Sequence, residues 1–156
     1  MQLIVTSRRW IASTPNRSFV LYPLCVIAFE FLLHRRIDIL WWGAPLLVWG
    51  FLQYRFVGNY RCAAGGGGPG LERPPERIVD VGPYRYVRNP MYLGHLIFML
   101  GLAITFQSGL ALAILVVNAI WFDQRVRSDE AKLEARFGAD YLAYKARVQR
   151  WIPGVY

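Results

Sequence analysis

Four blocks of apolar residues, set apart by arginine-rich stretches, limit what this chain can fold into. They run about from Phe19 to Leu33, Ile39 to Phe56, Met91 to Phe106 and Leu110 to Phe122. Within them the apolar residues are clustered rather than periodic, so no polar face is left for water. Such blocks read as membrane spans. Each falls short of the roughly 20 residues that cross a bilayer most comfortably. Flanking Trp, Tyr and Arg make up the length by reaching the interface. Trp41, Trp42, Tyr22, Tyr54, Trp121 and Phe122 stand where such belts are expected. The hydrophobic share, 55% of 156 residues, exceeds the roughly 45–50% of soluble domains, and the length fits one domain.

The net charge of +8 invites a nucleic-acid reading, but its distribution argues for a membrane. Sixteen of the eighteen basic residues are Arg, and they lie between the apolar blocks. With both termini inside, sixteen basic residues face the cytoplasm and two, Arg35 and Arg36, face outward. That asymmetry is the positive-inside pattern. It predicts a multi-pass membrane protein with cytoplasmic N- and C-termini, and it sets nucleic acid aside as a partner. Block one has the basic flank and apolar core of a signal peptide, but Glu30-Phe31-Leu32-Leu33-His34 offers no small-residue cleavage site, so a retained anchor helix is expected. Cys25 and Cys62 form neither a disulfide framework nor a metal-ligand set and read as free thiols.

The expected fold is therefore all-α and integral to the membrane, with four transmembrane helices and an amphipathic helical tail in the cytosol. A single domain covers 1–156. Two N-terminal spans occupy 1–60, a cytosolic linker and loop 61–90, a helical hairpin 91–122 and the tail 123–156. CAAGGGGPG, Cys62 to Gly70, reads as a flexible linker; no Lys-Ser/Thr pair follows it, so it is no phosphate-binding loop. Ile78 to Val81 is a short extended run. The fourth helix continues past Phe122 to Phe137, with Gly138 as its left-handed cap. A further helix, about Ala139 to Gln149, carries Tyr141, Leu142, Tyr144 and Val148, and Pro153 stops it. Apolar and Tyr side chains beside basic ones suggest a tail lying on the membrane surface.

The stretch GPYRYVRNPMYLG, Gly82 to Gly94, ends a basic loop and opens an apolar helix. Asn89 suits the cap and Pro90 the first turn, where a missing N–H costs nothing. Exposed N–H groups and the positive dipole end beside Arg88 then favour an anion such as a carboxylate. On the fourth helix, Asn118, Arg125 and Asp129 share one stripe, and Glu130 lies about 100° round with Asp123 and Arg127. Asn118 reads equally as a helix–helix hydrogen bond or a ligand contact. The acidic pair reads as a solvated face, with Arg125 and Asp129 as an i,i+4 pair, or as part of a site. His95 reads as a packing residue or a base, and Glu30 as lining a lumen or reaching the far interface. Tyr84, Tyr86 and Tyr92 anchor to the membrane or stack on a flat ring. The short turn Gln107-Ser108-Gly109 makes the last two spans an antiparallel hairpin. That brings Arg88 and the acids to one side, in a pocket suited to a zwitterion carrying an aromatic base.

This constellation resembles the isoprenylcysteine carboxyl methyltransferase and phospholipid methyltransferase superfamily of integral membrane enzymes. Their Gly-Pro-Tyr and Arg-His-Pro-x-Tyr-x-Gly hallmark stands here as Gly82-Pro83-Tyr84 and Arg88-Asn89-Pro90-Met91-Tyr92-Leu93-Gly94. Their Glu-Glu pair, Leu, Phe-Gly, two Tyr and closing Ile-Pro stand as Asp129-Glu130, Leu133, Phe137-Gly138, Tyr141, Tyr144 and Ile152-Pro153, with Arg125 also in register. The match covers Val79 to Pro153. Asn89 departs from the family's His, and Asp129 from its first Glu.

The resemblance implies S-adenosylmethionine as methyl donor at the cytosolic membrane edge, with 61–90 supplying a cofactor loop. It implies methyl transfer to a lipid-like or prenylated acceptor. No unmistakable base is present, which favours a carboxylate, already anionic and in need of none. Arg88, Asn89 and Glu130 become the candidate catalytic residues. Arg88 with the Asn89-Pro90 helix start is expected to hold the methionine carboxylate, and Asp129 and Glu130 the ammonium or ribose hydroxyls. Val81, Gly82, Tyr84 and Tyr92 are expected to line adenine and sulfur, Gly94 belongs to the same motif, and Asn118 and Arg125 complete the site. Substituting Arg88 or Glu130 is expected to weaken cofactor binding and leave the fold intact. The competing expectation is a non-catalytic membrane binding or transport protein on the same scaffold.

Overall fold

A computed structural model describes residues 10–68 and 73–152. Arg8, Arg9, the end of the glycine linker and the stop at Pro153 lie outside the described residues. Among those described, the architecture is all-helical and no β-strand forms. α1 covers Thr14–His34 and includes a π-helical stretch, Arg17–Leu21. α2 covers Ala44–Gly65, α3 Pro90–Phe106, α4 Gly109–Phe137 and α5 Ala139–Arg147. Short 3₁₀ turns precede α2 at Trp41–Gly43 and α3 at Gly82–Arg85.

Among the described residues two helices, Thr14–His34 and Gly109–Phe137, are long and apolar enough to cross a membrane, and the apolar Pro90–Phe106 is shorter at 17 residues. α2 opens later than the hydropathy suggested and runs on through Arg61 and Cys62. The first four residues of the expected flexible linker, Cys62 to Gly65, are therefore helix. Cys62, Ala63 and Ala64 have no reason to break one, and Gly65 is held in place, since its carbonyl accepts the Glu76 N–H at 2.8 Å. α4 is apolar through Phe122 and charged from Asp123 onward.

The chain forms two compact units, 1–51 with 95–119 and 52–94 with 120–156. In the first, Val26, Leu102 and Ala111 form a buried cluster with Leu47, Phe98 and Ile114 packed on it. Small residues set the spacing of its helices. A Cβ on Gly101 would lie 2.8 Å from the Leu47 nitrogen, and one on Gly43 would lie 2.7 Å from the Gly101 carbonyl oxygen. Ser108 caps α4 by accepting the Ala111 N–H at 3.3 Å, and Gln107 takes a left-handed φ of 48° to make the turn. Apolar side chains point outward, among them Leu24, Leu32, Leu33 and Trp49, while Val26 and Glu30, one turn apart, are buried. That arrangement is the reverse of a water-soluble protein and suits lipid. Trp41 and Trp42 are highly exposed, as an interfacial belt requires.

The second unit holds two small cores. Val57, Val79 and Tyr84 pack with Tyr60, Ala64 and Met91. Tyr141, Tyr144 and Val148 pack with Ile78, Leu133 and Phe137. The tyrosines of the tail therefore depart from the expected membrane-facing side: three residues apart on one face, they bury against α4 and Ile78, and Leu142 stays outward. Phe122 also departs from the interfacial belt, being fully buried against Tyr92 with ring centroids 5.0 Å apart. Gly138 has the expected positive φ, 55°, but its ψ of −127° lies outside the left-handed helical region. Its N–H still closes α4 onto the Glu134 carbonyl at 2.8 Å.

Candidate functional site

On α4 a stripe runs through the buried Phe122, Val126, Asp129 and Glu130 to the half-buried Leu133, at spacings of four, three, one and three. Apolar positions on that stripe give way to two carboxylates that are 7% and 4% exposed. Burying them is expensive without partners, and the structure supplies partners for both.

Glu130 accepts from Arg88 Nε at 2.9 Å and from Arg150 Nη2 and Nε at 2.9 and 3.3 Å. Arg88 also donates through Nη1 to the carbonyls of Lys145, at 3.1 Å, and Val148. The backbone of 148–150 joins in. Val87 bridges Gln149, the Arg88 N–H donates to the Gln149 carbonyl at 2.9 Å, and the Asn89 amide donates to the Arg150 carbonyl at a long 3.5 Å. Arg150 Nη1 and Trp151 Nε1 reach Asp123 at 3.5 and 3.1 Å. The segment after α5 is thus strapped onto the loop before α3. Burial alone raises the Glu130 carboxyl, but hydrogen bonds and charge from Arg150 and Arg88 outweigh it and hold the group below its ordinary range. At Asp123, too, burial is outweighed, by the Trp151 and Arg127 hydrogen bonds and the Arg127 and Arg150 charges, and its carboxyl lies low.

Asp129 is set differently. It accepts from Tyr92 Oη at 3.2 Å, Arg125 Nε at 3.4 Å and Lys132 Nζ at 3.5 Å. These are long contacts, and Arg125 and Lys132 are largely exposed.

Between these groups lies a cavity of about 80 Å³, taken as room for the centre of a water-sized sphere. That is several times the roughly 10–15 Å³ that admits one water. Its polar lining consists of Arg61, Arg88, Asn89, Asp129 and Glu130 with Tyr84, Tyr92, Tyr141 and Tyr144, and all of it belongs to the second unit. Burial, opposed by the Arg61 charge, pushes the Tyr84 phenol up to about 12, and burial raises Tyr141 and Tyr144 as well. These phenols stay protonated and can donate. Tyr144 does so already, to the Tyr84 carbonyl at 2.8 Å.

Of the residues predicted from sequence, Tyr84, Arg88, Asn89, Tyr92, Asp129 and Glu130 meet at this cavity. The others do not line it. Val81 and Gly82 are exposed. Gly82 instead makes the turn, with φ 59° and no room for a Cβ, which would lie 2.6 Å from Tyr60 Oη. Pro90 and Gly94 are buried in the first turns of α3, and Arg125 acts through Asp129. Asn118 belongs to the first unit, where it donates to the Ile114 carbonyl at 2.8 Å and accepts from Tyr22 at 3.4 Å. His95 and Glu30 are there too, His95 stacked on Phe19 at 4.7 Å and Glu30 3.3 Å from His34. The expectation for Arg88 changes most: its guanidinium is not an open positive corner, because Glu130 neutralises it.

Sequence reasoning missed Arg61, Val79 and Met91 as lining residues, and it assigned Tyr141 and Tyr144 to the membrane. Arg61 was counted among the positive-inside residues, and only a helix running to Gly65 puts it on the stripe of Val57 and Ala64.

Residues 68–139 match the phospholipid methyltransferase family. The chain is 35% identical over 78 residues to a protein-S-isoprenylcysteine O-methyltransferase of Schizosaccharomyces pombe, covering 49% of this chain and 33% of that protein. It is 33% identical over 78 residues to the Saccharomyces cerevisiae protein of that name, covering 49% and 32%. For the Arabidopsis thaliana protein-S-isoprenylcysteine O-methyltransferase B the values are 32% over 80 residues, 51% and 41%. The chain thus spans about a third to two fifths of the length of these relatives. They bear out the resemblance read from the sequence: the relatives are methyltransferases, and the matched region includes Arg88, Asn89, Asp129 and Glu130.

Proposed function

From the phospholipid methyltransferase-family segment that this chain carries at residues 68–139, we propose that it is an S-adenosylmethionine-dependent membrane methyltransferase acting on a lipid-like or prenylated acceptor, most readily a carboxylate. Four helices would cross the bilayer, with both termini and the cavity on the cytoplasmic side. The observation that carries the reading is the meeting of Arg88-Asn89 and Asp129-Glu130, forty residues apart in the chain, around one cavity.

The cavity's chemistry fits the cofactor. Two carboxylates, two guanidiniums and four tyrosines suit a ligand with a carboxylate, two cationic centres and a flat base. When bound, S-adenosylmethionine supplies a methyl group already activated on a sulfonium. What the chain must add is alignment to within roughly 3–3.5 Å and exclusion of water. Asp129, held by long contacts that a ligand can replace, faces the cationic part. Tyr92 and Tyr141 line the flat base. Glu130, locked between Arg88 and Arg150, keeps the helix start and the tail in place around them. A carboxylate acceptor attacks without losing a proton, which agrees with a cavity whose two carboxylates already accept from Arg88, Arg150 and Tyr92.

Isothermal titration of the protein in nanodiscs with S-adenosylhomocysteine tests the cofactor, and label transfer from methyl-labelled S-adenosylmethionine into an acetylated prenylcysteine or a lipid extract tests the reaction. Absence of binding in every detergent and nanodisc refutes the reading. Binding without turnover on any acceptor returns it to a non-catalytic membrane binding protein.

A further inference from the structure

The cavity has a second guanidinium besides Arg88. Arg61, on α2, lines it together with Tyr84 and Met91. Arg88 spends Nε on Glu130 and Nη1 on two backbone carbonyls, with a side chain only 7% exposed. It is a structural cation. Arg61 is half-buried and sits on the stripe of α2 that Val57 and Ala64 hold against Val79 and Tyr84. Its charge acts on the buried Tyr84 phenol. A guanidinium, whose planar fork matches a carboxylate, and a protonated phenol line the same cavity as a charged and a neutral donor. Asp129, with Tyr92, gives the same cavity an acceptor for positive charge.

We infer that Arg61 and Tyr84 form the carboxylate-binding subsite of this cavity, taking the role that the helix start and Arg88 were expected to play. The inference rests on the methyltransferase reading and adds a residue outside both matched motifs. The carboxylate has two possible sources: the amino-acid end of the cofactor or the acceptor. The two share this chemistry and separate by experiment.

The test compares wild type, Arg61→Gln and Arg61→Lys in nanodiscs. Binding of S-adenosylhomocysteine and of methylthioadenosine, which lacks the carboxylate, is titrated, and KM is measured for an acetylated prenylcysteine. If the subsite takes the cofactor, Arg61→Gln weakens S-adenosylhomocysteine roughly 10- to 100-fold, as expected for one charged hydrogen-bonding partner, and leaves methylthioadenosine unchanged. If it takes the acceptor, both titrations are unchanged and KM rises by a similar factor. In either case Arg61→Lys restores part of the loss. Equal loss of both nucleosides, or no change in any of the three, overturns the assignment, since the first marks a folding role and the second no role. A wild-type protein that binds neither nucleoside refutes the methyltransferase reading itself, whereas a binding wild type with an indifferent Arg61→Gln refutes this inference alone.

Discussion

Replacing Glu130 by Gln probes the network most directly. The side chain is 5% exposed and accepts three hydrogen bonds from two guanidiniums, themselves 7% and 15% exposed. Removing one partner of a buried ion pair costs about 3–5 kcal/mol, because the other charge stays buried. Here Arg88 keeps two carbonyl partners and Arg150 keeps Asp123 at 3.5 Å, and the Gln carbonyl still accepts one bond. The loss therefore belongs at the low end, about 3 kcal/mol. At about 2–4 °C per kcal/mol for a chain of this size, the melting temperature should fall by about 6–12 °C. Sequence alone predicted an intact fold for this variant; the network predicts a weaker one.

Intrinsic-fluorescence melts of both proteins in one detergent measure the shift, with Glu134→Gln as control. Glu134 pairs with Lys145 at a site about a third exposed on each side, so about 1 kcal/mol or less is expected there. The pH dependence gives a second check. The folded carboxyl of Glu130 lies below its ordinary 4.5. Its stabilisation is therefore fully present above that value and is lost as pH falls toward the folded pKa. The gap between wild type and Glu130→Gln should hold from pH 7 to about 5 and shrink below 4.5. Equal melting at pH 7, or a gap that persists undiminished at pH 3, refutes the reasoning.

Three further predictions concern the elements around the network. Arg150→Ala removes the bonds that tie the tail to Glu130 and Asp123; tryptic cleavage after Lys145 and Arg147 should accelerate, and an unchanged digestion rate would sink the strap. Tyr144→Phe leaves the Tyr84 carbonyl without its 2.8 Å buried donor, which should cost about 1–3 kcal/mol in a denaturation measurement, with failure marked by a wild-type midpoint. Gly101→Leu drives a side chain into the Leu47 backbone 2.8 Å away; the first unit should lose stability, while surface Val117→Leu, already 64% exposed, should melt with wild type.

The helices were readable because their causes are local. An unbroken apolar run, Pro90 in the first turn and the Gln107-Ser108-Gly109 turn each act within a few residues, and α3 and α4 begin within a residue of their expected positions. Of the four expected spans, two helices among the described residues meet the length and apolarity a crossing needs. α2 began late, after the 3₁₀ turn Trp41–Gly43, and ended late because its end is set by Gly65 meeting Glu76, a contact across the linker. The cavity-lining residues Tyr84, Tyr92, Asp129 and Glu130 were readable as motifs, but their partners were not. Nothing near Glu130 in the sequence announces Arg88 or Arg150, 42 and 20 residues away.

Hydropathy alone determined that the chain is helical, with apolar helices of which two among the described residues are long enough to cross a membrane, and the two motifs alone determined its relatives, since both depend on residue type and short spacing. Which charges answer each other was decided by tertiary structure. Long-range pairing turned Arg88 from an open anion site into the counter-ion of Glu130, drew Tyr141 and Tyr144 off the membrane into a core, and brought Arg61 to the cavity wall. An ion pair's energy depends on distance and burial, and neither is written in the order of residues along a chain.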